Sequence, residues 1–235
     1  MPTYFISGTR RGIGYELVRQ LSLSGDNTIF ATVRSLSGDN NSLASLKSTA
    51  PATIHILECD TSSPASITTI PSLLPDGTKI DHLLANAAIL THPNNTSLTL
   101  TSELLLSHIQ TNVVGPALLL QTLLPFLSPT ARVVNITSGL GSLTLVGNGT
   151  IDPDATAYSI SKTALNMLTV HQARQIPKGI VVVCMDPGHT KTEMGGPKAV
   201  LEVEDSAKGI LETVHALEEG DNGAFRLYSG KVLPW

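Results

Sequence analysis

Tyr158 and Lys162 stand four residues apart in Tyr158-Ser159-Ile160-Ser161-Lys162. On a helix that spacing puts both side chains on one face, so an ammonium can lie beside a phenol. A tyrosine titrates at about 10 in water, and a neighbouring cation favours its phenolate. The pair is therefore a candidate proton donor and acceptor near neutral pH. Ser138, in Asn135-Ile136-Thr137-Ser138, follows a short apolar run that reads as a strand. A hydroxyl there would sit at the carboxyl edge of a sheet, placed to hydrogen-bond a substrate oxygen. Asn112, in Thr111-Asn112-Val113-Val114-Gly115, is an amide inside an apolar helical stretch, where the bland reading is a hydrogen-bonded core asparagine. Each of these residues alone is ordinary; their combination carries the reading.

A second constellation lies near residue 10. The apolar run Tyr4-Phe5-Ile6 leads into Ser7-Gly8-Thr9-Arg10-Arg11-Gly12-Ile13-Gly14, and an amphipathic helix follows. Glycines let a backbone turn tightly and approach a pyrophosphate, whose charge is met by amides at the helix N-terminus. Three glycines are a weak signal by themselves, but the order strand, turn, helix makes this one strong. An acid closing the second strand would hold the ribose 2'-hydroxyl of NAD; here the strand ends Ala31-Thr32-Val33-Arg34-Ser35. A guanidinium suits a phosphate, so Arg34 and Arg11 favour NADP(H). Arg10 could substitute for Arg11 or lie in solvent. Asp60, in Glu58-Cys59-Asp60-Thr61, suits an N-cap for the helix expected from Pro64.

Short apolar runs alternating with longer helical periods predict these positions within repeated βαβ units. The expected strands are Thr3 to Ser7, Thr28 to Val33, Thr53 to Glu58, His82 to Ala85, Arg132 to Ile136, Ile180 to Met185 and Ala224 to Leu227. Helices are expected from Gly12, Ser42, Pro64, Ser102, Ala155 and Glu204. The fold class is α/β: a Rossmann-type, doubly wound, mostly parallel sheet of seven strands with helices on both faces, in a single domain spanning residues 1–235. The helix from Ser102 to Leu127 carries Leu104, Leu105, Ile109, Val113, Leu118, Leu119 and Leu123, too many apolar positions for a water-facing helix, so burial on the sheet or against another subunit is expected. Ser35 to Asn41 and Gly147 to Asp154 read as surface loops.

A net charge of -4 argues against nucleic acid or an anionic membrane as partner, and no apolar run is long enough to span a bilayer. A cytoplasmic protein with a small-molecule partner is expected. Cys59 and Cys184, in strand-like runs, read as buried thiols rather than a disulfide. No residue cluster points to a metal.

These motifs resemble the short-chain dehydrogenase/reductase family from Thr3 to about Gly195. The turn is similar to the family's T-G-x-x-x-G-x-G, with Ser7 for the leading Thr. The resemblance implies that Gly8, Gly12, Ile13 and Gly14 hold the cofactor phosphates, with basic residues at Arg11 and Arg34 in NADP-preferring members. It implies that Asp60, with Thr61 beside it, reaches the adenine, so that capping and binding can coexist there. Asn86-Ala87-Ala88 resembles the N-A-G element lining the adenine ribose, with Ala88 in place of Gly. Asp186-Pro187-Gly188-His189-Thr190-Lys191-Thr192 resembles P-G-x-x-x-T, in which Pro187 and Gly188 aim the chain at the nicotinamide carboxamide, Thr192 reaches the carboxamide or a phosphate, and Thr190 is a further cofactor-binding position. His189 is set aside as an acid or base because Tyr158 already fills that role.

By the same resemblance Tyr158 gives a proton to a carbonyl oxygen while NADPH supplies hydride, and Ser138 steadies the oxygen. Lys162 holds the nicotinamide ribose and lowers the Tyr158 pKa. Asn112 marks a helix distortion holding a water in a relay to Lys162. The catalytic residues do not encode direction, so an alcohol dehydrogenase is the alternative, with a catalytically idle regulatory protein behind it. The interval from Ser138 to Tyr158 is longer than usual for the family. Leu140, Leu143, Leu145 and Val146 within it suggest an apolar, bulky substrate. The segments Thr192-Glu193-Met194-Gly195-Gly196-Pro197 and Tyr228 to Trp235 are similar to carbonyl reductases of the C-factor and Sniffer type and to fungal ketoreductases like norsolorinic acid ketoreductase. A ketone of natural-product metabolism is the expected substrate. Family members pair through the long helix and the Tyr158 helix, so a homodimer or homotetramer is compatible with the apolar excess, as is burial within a monomer.

Overall fold

The computed structural model describes residues 1–152 and 154–235; the expected loop Gly147 to Asp154 lies within them except at Pro153. The chain runs β1 (Thr3–Ile6), α1 (Gly12–Leu21), β2 (Thr28–Val33), α2 (Asn41–Thr49), β3 (Thr53–Glu58), α3 (Pro64–Thr68), β4 (Ile80–Ala85), α4 (Ser102–Ile109), α5 (Gly115–Leu123), β5 (Leu127–Ile136), α6 (Leu143–Gly147), α7 (Thr156–Gln175), β6 (Val181–Asp186), α8 (Val203–Ala216) and β7 (Phe225–Leu227). The sheet order is β3-β2-β1-β4-β5-β6-β7, with every neighbouring pair parallel. The chain leaves β1 towards β2 on one side and returns to β4 on the other. The crevice above the carboxyl ends of β1 and β4 is thus the switch point where such sheets take ligands.

Alternation along each strand divides the core between the two faces. Tyr4, Ile6, Ile29, Val134 and Val183 pack under α1 and α8 with Leu17, Val18, Ile210 and Val214. Phe5, Phe30, Leu83, Val133 and Val182 face the other way, against Leu119, Leu120 and Leu123 of α5. Strands buried on both faces need apolar side chains at consecutive positions, which is why Val181-Val182-Val183-Cys184-Met185 is legible as a central strand. Both cysteines are free and buried. Among the described residues no helix is long and apolar enough to cross a membrane.

The expected single helix from Ser102 to Leu127 is not one helix. It breaks into α4, a π-helical turn over Gln110–Val114, α5 and a 3-10 turn over Leu124–Phe126, and Leu127 already belongs to β5. Leu119 and Leu123 are buried, whereas Leu104, Leu105, Ile109 and Val113 are half-buried and Leu106 is exposed. Pro116 follows the π turn, where its missing N–H costs least.

The last residues fold back on the sheet edge. Arg226 and Val232 form an antiparallel bridge, and Leu233 donates its N–H to Phe225 O at 2.8 Å. Ser142 Oγ donates to Pro234 O at 2.7 Å, Thr144 N–H donates to Trp235 O at 2.8 Å, and the Trp235 ring stacks on Phe225. Residues 231–235 therefore strap α6, in the interval after Ser138, to β7.

Candidate active site

The turn after β1 is held by the turn after β4. Ser7 Oγ accepts the N–H groups of Asn86 and Ala87, both at 3.0 Å, and Asn86 Nδ2 donates to Ser7 O and Gly8 O. Gly8 has φ of 73°, and a Cβ there would lie 2.8 Å from Ala87 Cα. At Gly14 a Cβ would meet Gly8 O at 2.2 Å. Only glycine meets both demands. Arg11 supplies no side-chain cap to α1 and the first turn holds no acid, so the amides of Gly12, Ile13 and Gly14 keep their positive end open. A strand-end cradle of uncapped amides backed by glycine fits a pyrophosphate. Ala88 follows Asn86 and Ala87 on the same turn.

Arg34 directly follows β2, and it and Arg10 are exposed; neither is in an ion pair among the described residues. Arg11 is different: its Nη1 pairs with the Glu193 carboxylate, from the loop after β6. A carboxylate does stand close to the end of β2, though not on it. Glu58 pairs in register with Val33, and its Oε2 accepts the Leu36 N–H at 2.9 Å. Asp60 is not the N-cap of α3. Ser63 takes that place, accepting the Ser66 N–H, while Asp60 Oδ1 accepts from Ser62 N and Oγ. The reason is local: Ser63 directly precedes Pro64, and Asp60 lies too early to reach the first turn. Thr61 is buried, with its carbonyl 2.6 Å from where a Gly115 Cβ would be.

Tyr158 and Lys162 lie on the buried face of α7. The loop after β4 fixes the start of this helix, because Asn95 O and Oδ1 accept the N–H groups of Thr156 and Ala157. Lys162 Nζ donates to Ile136 O at 2.7 Å and sits 5.4 Å from the Tyr158 ring centroid. The Ser138 hydroxyl neighbours the Tyr158 phenol, and its Oγ accepts the Leu140 N–H at 3.2 Å. His108 packs edge-on to Tyr158; its Nδ1 meets Leu104 O at 2.8 Å and its Nε2 accepts the Thr91 N–H, so both ring nitrogens are spent on backbone. Behind Ser138, Thr137 Oγ1 donates to Asn166 Oδ1 at 2.6 Å and Asn166 Nδ2 donates to Gly141 O at 3.1 Å. Gly141 packs so closely that a Cβ would meet the Lys162 backbone at 2.8 Å.

Burial, rather than the Tyr158–Lys162 spacing, sets the proton affinities. It pushes the Tyr158 phenol above its ordinary value, Asp186 raises it further, and the Ser138 hydrogen bond opposes both. Burial pushes Lys162 down to about 7, against the raising effect of Asp186. At Tyr158 burial and Asp186 thus outweigh any lowering by Lys162: desolvating both groups favours the neutral phenol and weakens the ammonium.

Asn112 occupies the π turn. Its Oδ1 accepts the Ile89 N–H at 2.8 Å, and its Nδ2 donates to Ile89 O and to Ser161 Oγ, each at 3.0 Å. Ser161 Oγ in turn donates to Tyr158 O. The side chain thus ties the β4 turn and α7 to the π turn. Asn112→Ala leaves both Ile89 backbone groups unpaired, and urea unfolding should show a loss of about 2 kcal/mol; an unchanged midpoint would contradict this bracing role.

In the turn after β6, Thr190 Oγ1 donates to Pro187 O and Gly188 O and is buried. Thr192 lies over the phosphate turn, its methyl 3.3 Å from a Cβ placed on Gly12. His189 is exposed, its Nε2 bonded to Gly195 O at 2.8 Å. Sequence reasoning did not single out Asn95, His108, Asn166, Glu58 or Glu193. Asn166 alone left a signal, falling four residues after Lys162 on the same helical face.

Residues 2–200 match the family model described as short chain dehydrogenase. The chain is 38% identical to C-signal of Myxococcus xanthus over 127 residues, 53% of this chain and 74% of that protein. It is 28% identical to norsolorinic acid ketoreductase of Aspergillus parasiticus, over 99% of this chain and 90% of that one. Among solved structures, NADPH-bound carbonyl reductase from chicken fatty liver superposes with TM-score 0.88 at 32% identity, covering 100% of this chain and 99% of that one. Carbonyl reductase Sniffer of D. melanogaster gives TM-score 0.89 at 31% identity, with both chains fully covered (100% and 100%). The amide cradle at the switch point, the Tyr158 and Lys162 pair at the neighbouring strand ends and these likenesses lead to one conclusion: the chain belongs to the short-chain dehydrogenase family of oxidoreductases.

Proposed function

We propose that this protein is an NADPH-dependent carbonyl reductase acting on an apolar or aromatic ketone, with Tyr158 as proton donor. The observation that carries the reading is the convergence of the Tyr158 phenol, the Ser138 hydroxyl and Lys162 at the carboxyl end of β5, beside the amide cradle after β1. NADPH, when bound, supplies hydride; the protein supplies position and charge. The amides of Gly12, Ile13 and Gly14 receive the pyrophosphate, and Arg34 and Arg10 are free to meet a 2'-phosphate. NADPH-bound and NADP-bound relatives of the same fold support this choice. Tyr158, held in its protonated form by burial, gives its proton to the carbonyl oxygen as that oxygen gains charge. Ser138 donates a hydrogen bond to the same atom. Lys162 holds the ribose hydroxyls and returns the proton to Tyr158.

Leu143, 72% exposed on α6, and half-buried Leu140, Leu145 and Val146 follow Ser138 along the chain and favour an apolar substrate. Exposed Leu106 on α4 and Ile160 and Met167 on α7 favour pairing of two copies through these helices. Purified protein should consume NADPH with ketones or quinones and yield the matching alcohol or hydroquinone by mass spectrometry. No consumption across an aromatic and alicyclic ketone panel, alongside oxidation of alcohols with NAD, would overturn the proposal.

A further inference from the structure

One half-buried ionisable side chain beside the reacting groups has no part in the steps above: Asp186, the last residue of β6. Met185 pairs in register with Ile136, so Asp186 stands beside Thr137, immediately before Ser138. Asp186 Oδ1 accepts the Gly188 N–H at 2.9 Å. Oδ2 lies against Gly139, 3.0 Å from where a Cβ there would be. One carboxylate thus joins the turn that carries Ser138 to the turn Pro187-Gly188. Lys162, anchored on Ile136 O, reaches the same strand ends from α7.

We propose that Asp186 is a positioning residue for carbonyl reduction: its carboxylate, on the Gly188 N–H and against Gly139, holds the Ser138 and Gly188 turns together and presents its charge to Lys162 at the neighbouring strand end. This rests on the reductase reading and deepens it. The charged and titratable groups facing Asp186 are Lys162 and Tyr158 from α7 and His189 from its own loop. From beyond β7, Tyr228 meets it through its backbone N–H, at Asp186 O. Burial pushes Asp186 above its ordinary value, by more than the Gly188 and Gly139 amides, His189 and Lys162 draw it back. The charge in turn raises both Lys162 and Tyr158. An uncharged residue at 186 should therefore lower both.

Asp186→Asn keeps an oxygen to accept the Gly188 N–H and removes the charge. In the cofactor-free protein the Lys162 13Cε resonance, assigned with Lys162→Met, should titrate near 7 in the wild type and roughly one pH unit lower in Asp186→Asn. The alkaline limb of kcat/KM for ketone reduction should move down by a similar interval. Asp186→Ala, which also releases both turns, should add a loss of kcat. An unchanged Lys162 titration in Asp186→Asn, or a shift in neither variant, overturns the proposal. If Asp186→Asn does not fold, the wild-type Asp186 13Cγ resonance decides: an ionised carboxyl at neutral pH supports the counter-charge, and a protonated one overturns it. These titrations need no turnover, so a wild type that reduces no ketone would sink the reductase reading and leave them standing.

Discussion

Tyr158→Phe should lower ketone reduction by about 100- to 10,000-fold, the range expected when a positioned proton donor is removed. The substitution deletes one oxygen and little else. The ring keeps its place beneath Lys162 and edge-on to His108, and the helix keeps its Asn95 cap. Melting temperature and NADPH affinity should therefore stay near wild type while kcat falls, a pattern that separates lost chemistry from lost binding. Ser138 remains to polarise the carbonyl, so residual rate is expected. Undiminished reduction by Tyr158→Phe would remove Tyr158 from the chemistry and favour a protein that binds cofactor without using this site.

Arg34→Glu should raise the KM for NADPH by about 100-fold while leaving that for NADH nearly unchanged, since it exchanges a charge-assisted contact for a repulsion at the 2'-phosphate. Arg34 is exposed, so folding is not at stake. Glu58 strengthens the expected effect: with its carboxylate already on the Leu36 amide, a second acid would leave the ribose end strongly negative. Steady-state kinetics with both dinucleotides at several salt concentrations provide the check. An unchanged preference would move phosphate recognition to Arg10.

The sheet was legible because its evidence is local. Interior parallel strands such as β6 must be apolar at successive positions, and a tight strand-to-helix turn must carry glycines where Gly8 and Gly14 stand. The reacting residues were legible for a similar reason: a four-residue spacing is a helical face. What stayed hidden depends on partners remote in sequence. The π turn exists to let Asn112 reach Ile89 and Ser161, and an amide in an apolar run does not show this. The Arg11–Glu193 pair joins two loops nearly a whole chain apart. The net rise at Tyr158 was hidden because a spacing shows that a cation is near but not that both groups are out of water. Asp186 was read with the Pro-Gly turn it precedes, and only the register of β6 against β5 brings it to Ser138.

The backward fold of residues 231–235 bears on how the protein behaves at high concentration. A bare β7 would offer unpaired amides and carbonyls to any passing strand, the usual seed of sheet-to-sheet polymerisation. Val232 and Leu233 occupy that margin, leaving β3 as the open margin. Since the same residues brace α6, a lesion that peels them away would loosen the substrate wall and create a self-adhesive border in one event, so insolubility and altered substrate choice should arise together in variants of this segment.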